Sequence, residues 1–314
     1  MRTWTAARRG FARMTALALC LIVGPFPADA AERLRAVATF SILGDLVRQV
    51  GGDAVAVTTL VGPDADAHGY SPAPGDSRTL AAAGIVFVNG LGFEGWLDRL
   101  IRASGSKAPV VVASAGVATI PARHDHRHGE GGHAGANADA DPHAWQSVPN
   151  AKVYIANIRD GLAKVDPAHA ADYTRNAEAY LAKLGAVDAE IRAALAEIPP
   201  EHRKVITTHD AFGYFSSAYG LTFLAPQGVS TDSEASPQDV ARIIRQIRQD
   251  KVPAVFIETI ADPRLMQQVA RESGARIGDK VYSDALSGPA GPASTYLDMM
   301  RSNLRAFSAA LGPT

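Results

Sequence analysis

Histidines are the residues of this sequence whose type and spacing most clearly permit chemistry, because a neutral imidazole is a common ligand of divalent metals. The chain has nine histidines, and the segment RHDHRHGEGGH contains four of them: His124, His126, His128 and His133. Residues 121–141 are mostly histidine, glycine, alanine and aspartate. A segment of this composition has almost no apolar residues to bury, so we predict a long loop. Its histidines either form a second, weaker metal site or lie in a spacer without a metal-binding role.

Four other polar residues lie where apolar runs end or in the loops that follow them. The sequence places His68 in VGPDADAHGYSPAPGD, His143 in DPHAW, His209 in ITTHDAFGYF and Asp284 in VYSDALSG. Ligands of open α/β sheets bind beyond the carboxyl ends of the strands, which is where these residues are expected. Each histidine taken alone could also be a solvated or packed residue, and an aspartate at a strand end is most often a turn or cap residue. Together, three imidazoles and one carboxylate would fill the closed tetrahedral shell that zinc prefers.

Two carboxylates lie close to these residues in the sequence or in an equivalent position. Asp141 precedes His143 by two residues and could orient its imidazole. Glu258 ends the apolar run VFIE and could be a fifth ligand, an acceptor behind the ligands or a helix cap; we favour a role other than ligand. Asp210, beside His209, is predicted to cap a helix.

The elements that must position these residues are indicated by short apolar runs that alternate with amphipathic stretches. The predicted strands are residues 35–40, 55–60, 84–90, 108–114, 204–209, 221–225 and 253–258. A long apolar stripe predicts one helix over residues 171–198, which the prolines at 199–200 end. This alternation predicts an α/β fold with mainly parallel sheets in two lobes, residues 31–168 and 203–314. The linking helix, residues 169–202, is expected to be rigid, with a ligand site in the cleft between the lobes.

Residues 1–30 are predicted to be a secretory signal peptide. A basic start is followed by the apolar run MTALALCLIVG, and ADA at residues 28–30 fits a cleavage site before Ala31. A short membrane helix is the alternative, and RRGF leaves both general secretion and twin-arginine export open. Cys20, the only cysteine, could be lipidated, but Leu19 before it is larger than the small residue expected there.

Composition and charge limit the classes of function. Hydrophobic residues make up 47% of the 314 residues and the net charge is −1, as in an ordinary globular protein without a nucleic-acid partner. Removal of Cys20 with the signal segment would leave no thiol, so neither a disulfide nor a cysteine metal site is expected. We therefore predict an exported protein of the periplasm.

Several of these motifs, in this order, resemble those of one family, the zinc/manganese-binding solute-binding proteins of ABC transporters (cluster 9, A-I). The matching stretches are DAHGYSPAPGD, NGLGFEGWLDRL, DPHAWQSVPNA, TTHDAFGYFSSAYG, VFIETIADP, YSDALS and GPASTYLDMMRSN. The resemblance covers nearly all of the chain after residue 30. It implies two (β/α)4 lobes joined by one long helix, with metal ligands at His68, His143, His209 and Asp284.

The resemblance also bears on the metal. Manganese-type members of the family have a glutamate where this chain has His209, so Zn²⁺ is expected rather than Mn²⁺. Zinc-type members often have a histidine-rich loop before the DPHxW histidine, the position of residues 121–141. The short loop of this chain is similar to that of the AztC-like zinc-binding proteins.

The expected function is capture of Zn²⁺ and its delivery to an ABC permease whose ATPase subunit drives import. The protein is expected to be a monomer and not an enzyme, and a periplasmic metallochaperone is a further expected partner. Three alternatives stay open: a manganese or mixed-metal binding protein of the same family, a metal-dependent adhesin and a zinc hydrolase. A hydrolase would need an open metal position and a general base, which four protein ligands do not leave.

Overall fold

The computed structural model describes residue 1 and residues 33–122 and 140–312. Arg33–Thr314 forms one compact unit. The predicted signal peptide and the four histidines of the segment 123–133 lie outside the described residues. Among the helices that are described, none combines the length and the apolar character needed to cross a membrane.

The first sheet has four parallel strands in the order β2-β1-β3-β4. The strands are β1 (Leu34–Phe40), β2 (Val55–Val61), β3 (Ile85–Val88) and β4 (Val110–Val112). The helices that follow the first three strands are α1 (Ser41–Gly51), α2 (Pro74–Ala81) and α3 (Leu97–Ser104). β1 is central, and its residues from Ala36 to Phe40 are all buried, as expected for a strand that is covered on both faces.

The second sheet repeats this arrangement with the order β6-β5-β7-β8. Its strands are β5 (Lys204–Ile206), β6 (Thr222–Leu224), β7 (Ala254–Val255) and β8 (Arg276–Ile277). The helices of this lobe are α6 (Gly213–Tyr219), α7 (Pro237–Asp250), α8 (Pro263–Ser273) and α9 (Tyr296–Leu311). Ser236 caps α7, because its side chain accepts a hydrogen bond from the backbone N–H of Asp239.

Strands of the second lobe are shorter than predicted. β5 ends at Ile206, three residues before the predicted end at His209, although His209 makes an isolated parallel bridge with Gln227. The strand interrupts its ladder here because the backbone N–H groups of Thr208 and His209 bond to the carboxylate of Glu258 instead. A side chain thus replaces a strand partner at the position where the site begins.

The prediction for Asp210 is wrong. Helix α6 begins at Gly213, and Phe212 is its N-cap residue. The chain first makes a tight turn in which the N–H of Ala211 donates to the carbonyl of His209 over 3.0 Å. Asp210 therefore lies inside this turn, too far ahead of the helix to cap it.

Helix α4 (Val148–Val165) leads into α5 (Ala170–Ala196), the long helix between the two sheets. The predicted apolar stripe of α5 is buried along its whole length. Asn176 of α5 donates to the carbonyl of Val50 in α1 over 3.0 Å, and Glu190 pairs with Arg301 of α9 at 2.9 Å. The helix is therefore packed against both lobes, and one hydrophobic core extends from Phe40 in the first lobe to Phe307 in the second.

Candidate metal centre

The four predicted ligands converge on one point. His68, His143, His209 and Asp284 each offer a ligand atom, and these atoms all lie within 4.8 Å of one another. His68 is 8% exposed and the other three are 0% exposed. Since these residues are far apart in the sequence, their convergence is a property of the tertiary structure.

Four of the distances between ligand atoms are close to those expected in a tetrahedral metal shell. The Nε2 atoms of His68 and His143 are 3.2 Å apart, and Nε2 of His209 lies 3.1 Å from Oδ2 of Asp284. Asp284 also lies 3.4 Å from Nε2 of His68 and 3.6 Å from Nε2 of His143. Zinc bonds of about 2.0–2.1 Å in a tetrahedron separate neighbouring ligand atoms by roughly 3.3–3.4 Å. The four distances are therefore compatible with one divalent cation bound among these side chains.

Each lobe contributes two of these residues. His68 lies in the loop after β2, and His143 immediately precedes the 3-10 turn Ala144–Gln146, which leads into α4. His209 lies between β5 and α6, and Asp284 lies between β8 and α9. Bridge pairs at His209 with Gln227 and at Glu258 with Val281 extend the second sheet toward the site. The residues thus gather beyond the strand ends, as predicted.

Asp141 orients His143. Its Oδ1 lies 2.8 Å from Nδ1 of His143 and also accepts the backbone N–H of His143 over 2.9 Å. A carboxylate at Nδ1 favours the proton there and leaves the Nε2 lone pair free for a metal.

Glu258 has the equivalent position at His209. Its Oε2 lies 2.5 Å from Nδ1 of His209, while its Oε1 accepts the N–H groups of Thr208 and His209 over 2.8 and 2.9 Å. Oε1 is therefore hydrogen-bonded, and Oε2 makes a close ion-pair contact with Nδ1 of His209 that lacks ordinary hydrogen-bond geometry. Of the three roles open to Glu258 from the sequence, this arrangement favours the orienting one.

Several buried polar atoms of the centre lack a hydrogen bond of ordinary geometry within the described residues. They include Nε2 of His209 and both carboxylate oxygens of Asp284. Burial of such atoms is costly unless a partner satisfies them. A cation bound among them would supply that partner.

The pKa values of two of these groups reflect the same charges. Burial alone would lower the pKa of His209, but the carboxylates of Glu258 and Asp284 outweigh it, and the pKa lies well above its ordinary value. Burial alone would raise the pKa of Asp284, but His209 and His143 hold it well below its ordinary value. Asp284 therefore stays ionised. His209 binds a proton readily when no metal is bound, so a proton competes with the metal for this imidazole.

Aromatic side chains close the centre on its first-lobe side. The ring of Trp145 lies 5.3 Å from that of His143. Phe93 packs edge-on against His68 with a ring separation of 4.7 Å and also contacts Trp145 at 4.8 Å. Phe93 was not assigned to the site from the sequence, because only the turn after β3 brings it there.

A third carboxylate at the site was also missed from the sequence. Oδ1 of Asp66 accepts the backbone N–H of His68 over 2.9 Å, and its Oδ2 accepts the hydroxyl of Thr231 from the second lobe over 2.6 Å. The repeated spacing Asp-x-His, in DAH as in DPH, is a signal that could have found it. Only the tertiary structure identifies Thr231 as the second partner.

The sequence from residue 36 to residue 310 matches the family described as "ZnuA: Zinc-uptake complex component A periplasmic". The chain belongs to this family. The predicted membership in the metal-binding solute-binding proteins of ABC transporters is thereby confirmed, and so is the prediction that the protein is not an enzyme. It is a divalent-metal-binding component of an extracytoplasmic ABC uptake system.

Relatives within the family differ in the metal that their names give. The chain is 35% identical over 286 residues to the iron-binding protein YfeA of Yersinia pestis, with 91% of this chain and 89% of YfeA covered. It is 34% identical over 280 residues to the manganese-binding lipoprotein MntA of Halalkalibacterium halodurans, with 89% of each chain covered. The solved periplasmic zinc-binding protein TroA of Treponema pallidum has a TM-score of 0.81, is 29% identical, and is matched over 90% of this chain and 100% of TroA. The similarity confirms the predicted two-lobed fold.

Proposed function

We propose that this protein captures Zn²⁺ in the periplasm and delivers it to an ABC permease, whose ATPase subunit drives import. The observation that carries this proposal is the set of ligand atoms of His68, His143, His209 and Asp284, which all lie within 4.8 Å of one another. In this proposal all four are metal ligands, while Asp141 and Glu258 orient two of the histidines. Family membership supports the permease and the ATPase as partners.

Zinc is proposed over manganese because of the donor atoms. Three imidazole nitrogens and one carboxylate suit Zn²⁺, whereas Mn²⁺ favours oxygen-rich sites. Tetrahedral spacing of 3.1–3.6 Å between most donor pairs also supports zinc. Manganese or mixed-metal binding is the second candidate, which the name of the manganese-binding relative favours. The proposed zinc-type and AztC-like assignments are correct only if the protein binds zinc in preference to manganese.

Titration with a competing chelator tests the site assignment. The protein used is residues 31–314, the proposed mature chain, with alanine introduced in turn at His68, His143, His209 and Asp284. The zinc affinity of each variant is expected to fall by more than about 100-fold, which exceeds the loss usually caused by mutating a residue that only hydrogen-bonds to a ligand. His169→Ala is the matched control, since His169 pairs with Asp166 at 2.8 Å and is not among the four converging residues. The assignment is wrong if all four variants bind zinc as tightly as the control.

Native mass spectrometry with equal concentrations of Zn²⁺ and Mn²⁺ tests the choice of metal. The unmodified protein is expected to carry zinc almost alone. His209→Glu replaces a nitrogen donor with an oxygen donor and is expected to increase the manganese-bound fraction. A predominantly manganese-bound unmodified protein would overturn the zinc proposal and leave the metal-transport proposal intact.

We further propose that cleavage before Ala31 releases a soluble, monomeric protein, and that the four histidines His124, His126, His128 and His133 form an accessory metal site. That site would collect zinc or receive it from a periplasmic metallochaperone. The alternative for the N-terminus is lipidation at Cys20, consistent with a relative that is named a lipoprotein. The intact mass of the exported protein distinguishes cleavage before Ala31 from lipidation, because lipidation would retain Cys20 with its acyl chains.

A further inference from the structure

Gly213, the first residue of α6 in the second lobe, is in close contact with Asp141 of the first lobe. A Cβ atom at position 213 would lie 2.4 Å from Oδ2 of Asp141 and 3.0 Å from Cδ1 of Ile120. Real Cβ atoms essentially never approach another atom within 3.0 Å. The backbone of Gly213 is helical and would accept any residue type. Glycine is therefore required at this position only because Asp141 occupies the space that a side chain would need.

Tyr214 holds the same part of the first lobe through its hydroxyl. It donates to the backbone carbonyl of Asp141 over 3.0 Å and accepts the N–H of Ile120 over 3.4 Å. Ile120 and Asp141 are themselves joined, because the N–H of Asp141 donates to the carbonyl of Ile120 over 2.9 Å. Pro121 and Ala140 form an antiparallel bridge just beyond them. Gly213 and Tyr214 thus contact both chain segments that flank residues 122–139.

The contact reaches the metal centre through Asp141. One oxygen of this carboxylate faces Gly213, while the other lies 2.8 Å from Nδ1 of His143. We propose that Gly213 and Tyr214 of the second lobe are positioning residues for His143 in the first lobe, acting through Asp141. The inference rests on the proposed function, because it concerns one of the proposed ligands.

The expected effect follows from the distances. Relief of the contact with a new methyl group requires a movement of about 1 Å, which is enough to break the hydrogen bond at Nδ1 of His143. The imidazole is then free to carry its proton on Nε2, the atom that faces the metal position, and this tautomer has no lone pair on Nε2 for a metal. Loss of an orienting carboxylate commonly lowers metal affinity by about 10–100-fold.

Two glycine-to-alanine variants separate this effect from a general effect on the helix. Gly213→Ala is compared with Gly185→Ala in α5, where an added Cβ meets nothing within 4 Å. Alanine at either helical position is favoured over glycine by local propensity. We expect Gly213→Ala to weaken zinc binding about 10-fold and Gly185→Ala to leave it unchanged. The ¹⁵N spectrum of the His143 imidazole in the metal-free protein is expected to move toward the Nε2–H tautomer in Gly213→Ala alone.

A double-mutant cycle tests whether the effect passes through Asp141. Asp141→Ala is expected to weaken zinc binding in the unmodified protein and to have little further effect in Gly213→Ala. Additive effects, or an unchanged tautomer in Gly213→Ala, would overturn the inference. Tyr214→Phe removes only the hydroxyl and replaces Gly213→Ala in the test if that variant does not fold. It is expected to shift the tautomer of His143 in the same direction and to lower zinc affinity. The absence of both effects would also overturn the inference.

The two proposals fail in distinguishable ways. If His143→Ala keeps the zinc affinity of the unmodified protein, the proposed site is wrong at this residue. If His143→Ala loses that affinity while Gly213→Ala behaves like Gly185→Ala, only the positioning role of Gly213 is wrong.

Discussion

The indole N–H of Trp145 donates to the backbone carbonyl of Ser283 over 2.9 Å, so the segment that carries His143 is bonded directly to the segment that carries Asp284. The side-chain amide of Gln146 donates to the same carbonyl over 2.5 Å. A further hydrogen bond joins the two lobes here, because the hydroxyl of Tyr296 donates to the carbonyl of Trp145 over 2.7 Å. The relative position of the two proposed ligands therefore depends on short hydrogen bonds between the lobes as well as on the linking helix α5.

Zinc should stabilise the protein more at higher pH. The pKa of His209 in the folded, metal-free protein lies well above its ordinary value, because the carboxylates of Glu258 and Asp284 outweigh burial. Protonation of His209 thus stabilises the metal-free fold fully below an unfolded pKa of about 6.5, and this contribution is lost as the pH rises through the raised folded pKa. Zinc must displace the same proton. We expect the zinc-induced increase in Tm to grow from about pH 6 to about pH 8, as measured by differential scanning calorimetry.

The metal-free protein is the control for the pH experiment. The Tm of the metal-free protein should fall over the same range, because protonated His209 no longer stabilises the fold. The contribution of ionised Asp284 is retained, because the pKa of its carboxyl lies well below its ordinary value. A zinc increment that does not vary with pH would contradict a protonated His209 in the metal-free site.

Glu258→Gln should weaken zinc binding without removing the site. A glutamine would place an amide N–H at Nδ1 of His209, where Oε2 of Glu258 now lies at 2.5 Å. Nδ1 would then accept a hydrogen bond, and the proton would move to Nε2, the atom proposed to bind the metal. We expect affinity to fall by about 10–100-fold with stoichiometry retained, as measured by chelator competition. Glu234→Gln, at an exposed residue of the same lobe, should leave the affinity unchanged; equal affinities for the two variants would exclude an orienting role for Glu258.

Deletion of residues 124–133 should leave the tight site intact. The four proposed ligands lie outside this segment, so zinc affinity at the tight site is expected to stay the same. Stoichiometry at higher zinc concentration, or the rate of acquisition, is expected to fall, because the four histidines of the segment are removed. Equilibrium dialysis and stopped-flow transfer from a zinc chelate measure the two quantities. A variant of full length with alanine at His124, His126, His128 and His133 controls for the shortened chain, and unchanged behaviour of both variants would identify the segment as a spacer.

Asp45→Ala should destabilise the contact between the lobes. Oδ2 of Asp45 in α1 accepts the N–H of Tyr296, the first residue of α9, over 2.8 Å. Asp45 is 5% exposed and Tyr296 is 0% exposed, so the variant leaves a buried N–H without an acceptor. The free energy of unfolding is expected to fall by about 1–3 kcal/mol, as measured by urea denaturation. Asp53→Ala, at an exposed residue of the same lobe, is expected to stay within about 0.5 kcal/mol of the unmodified protein; a similar loss in both variants would contradict the proposed contact.

Patterns within single segments of the sequence were enough to predict the repeated α/β arrangement, the long buried stripe of α5 and the candidate ligands His68, His143, His209 and Asp284. These features are readable because they are local. A helix has its own periodicity, a buried parallel strand is a continuous apolar run, and a polar residue just beyond such a run lies at the edge of the sheet where ligands bind. The spacing of Asp141 from His143 is local in the same sense.

The contacts between distant groups are known only from the folded structure. The place of Asp210 within a turn, the engagement of Glu258 behind His209, the bond from Asp66 to Thr231 and the contact of Gly213 with Asp141 have no local signal. The first two depend on how segments of the second lobe fold together, and the last two depend on how the two lobes pack against each other. A pattern within one segment sets the direction of its own side chains, whereas the space left for an atom of another segment exists only after both have folded.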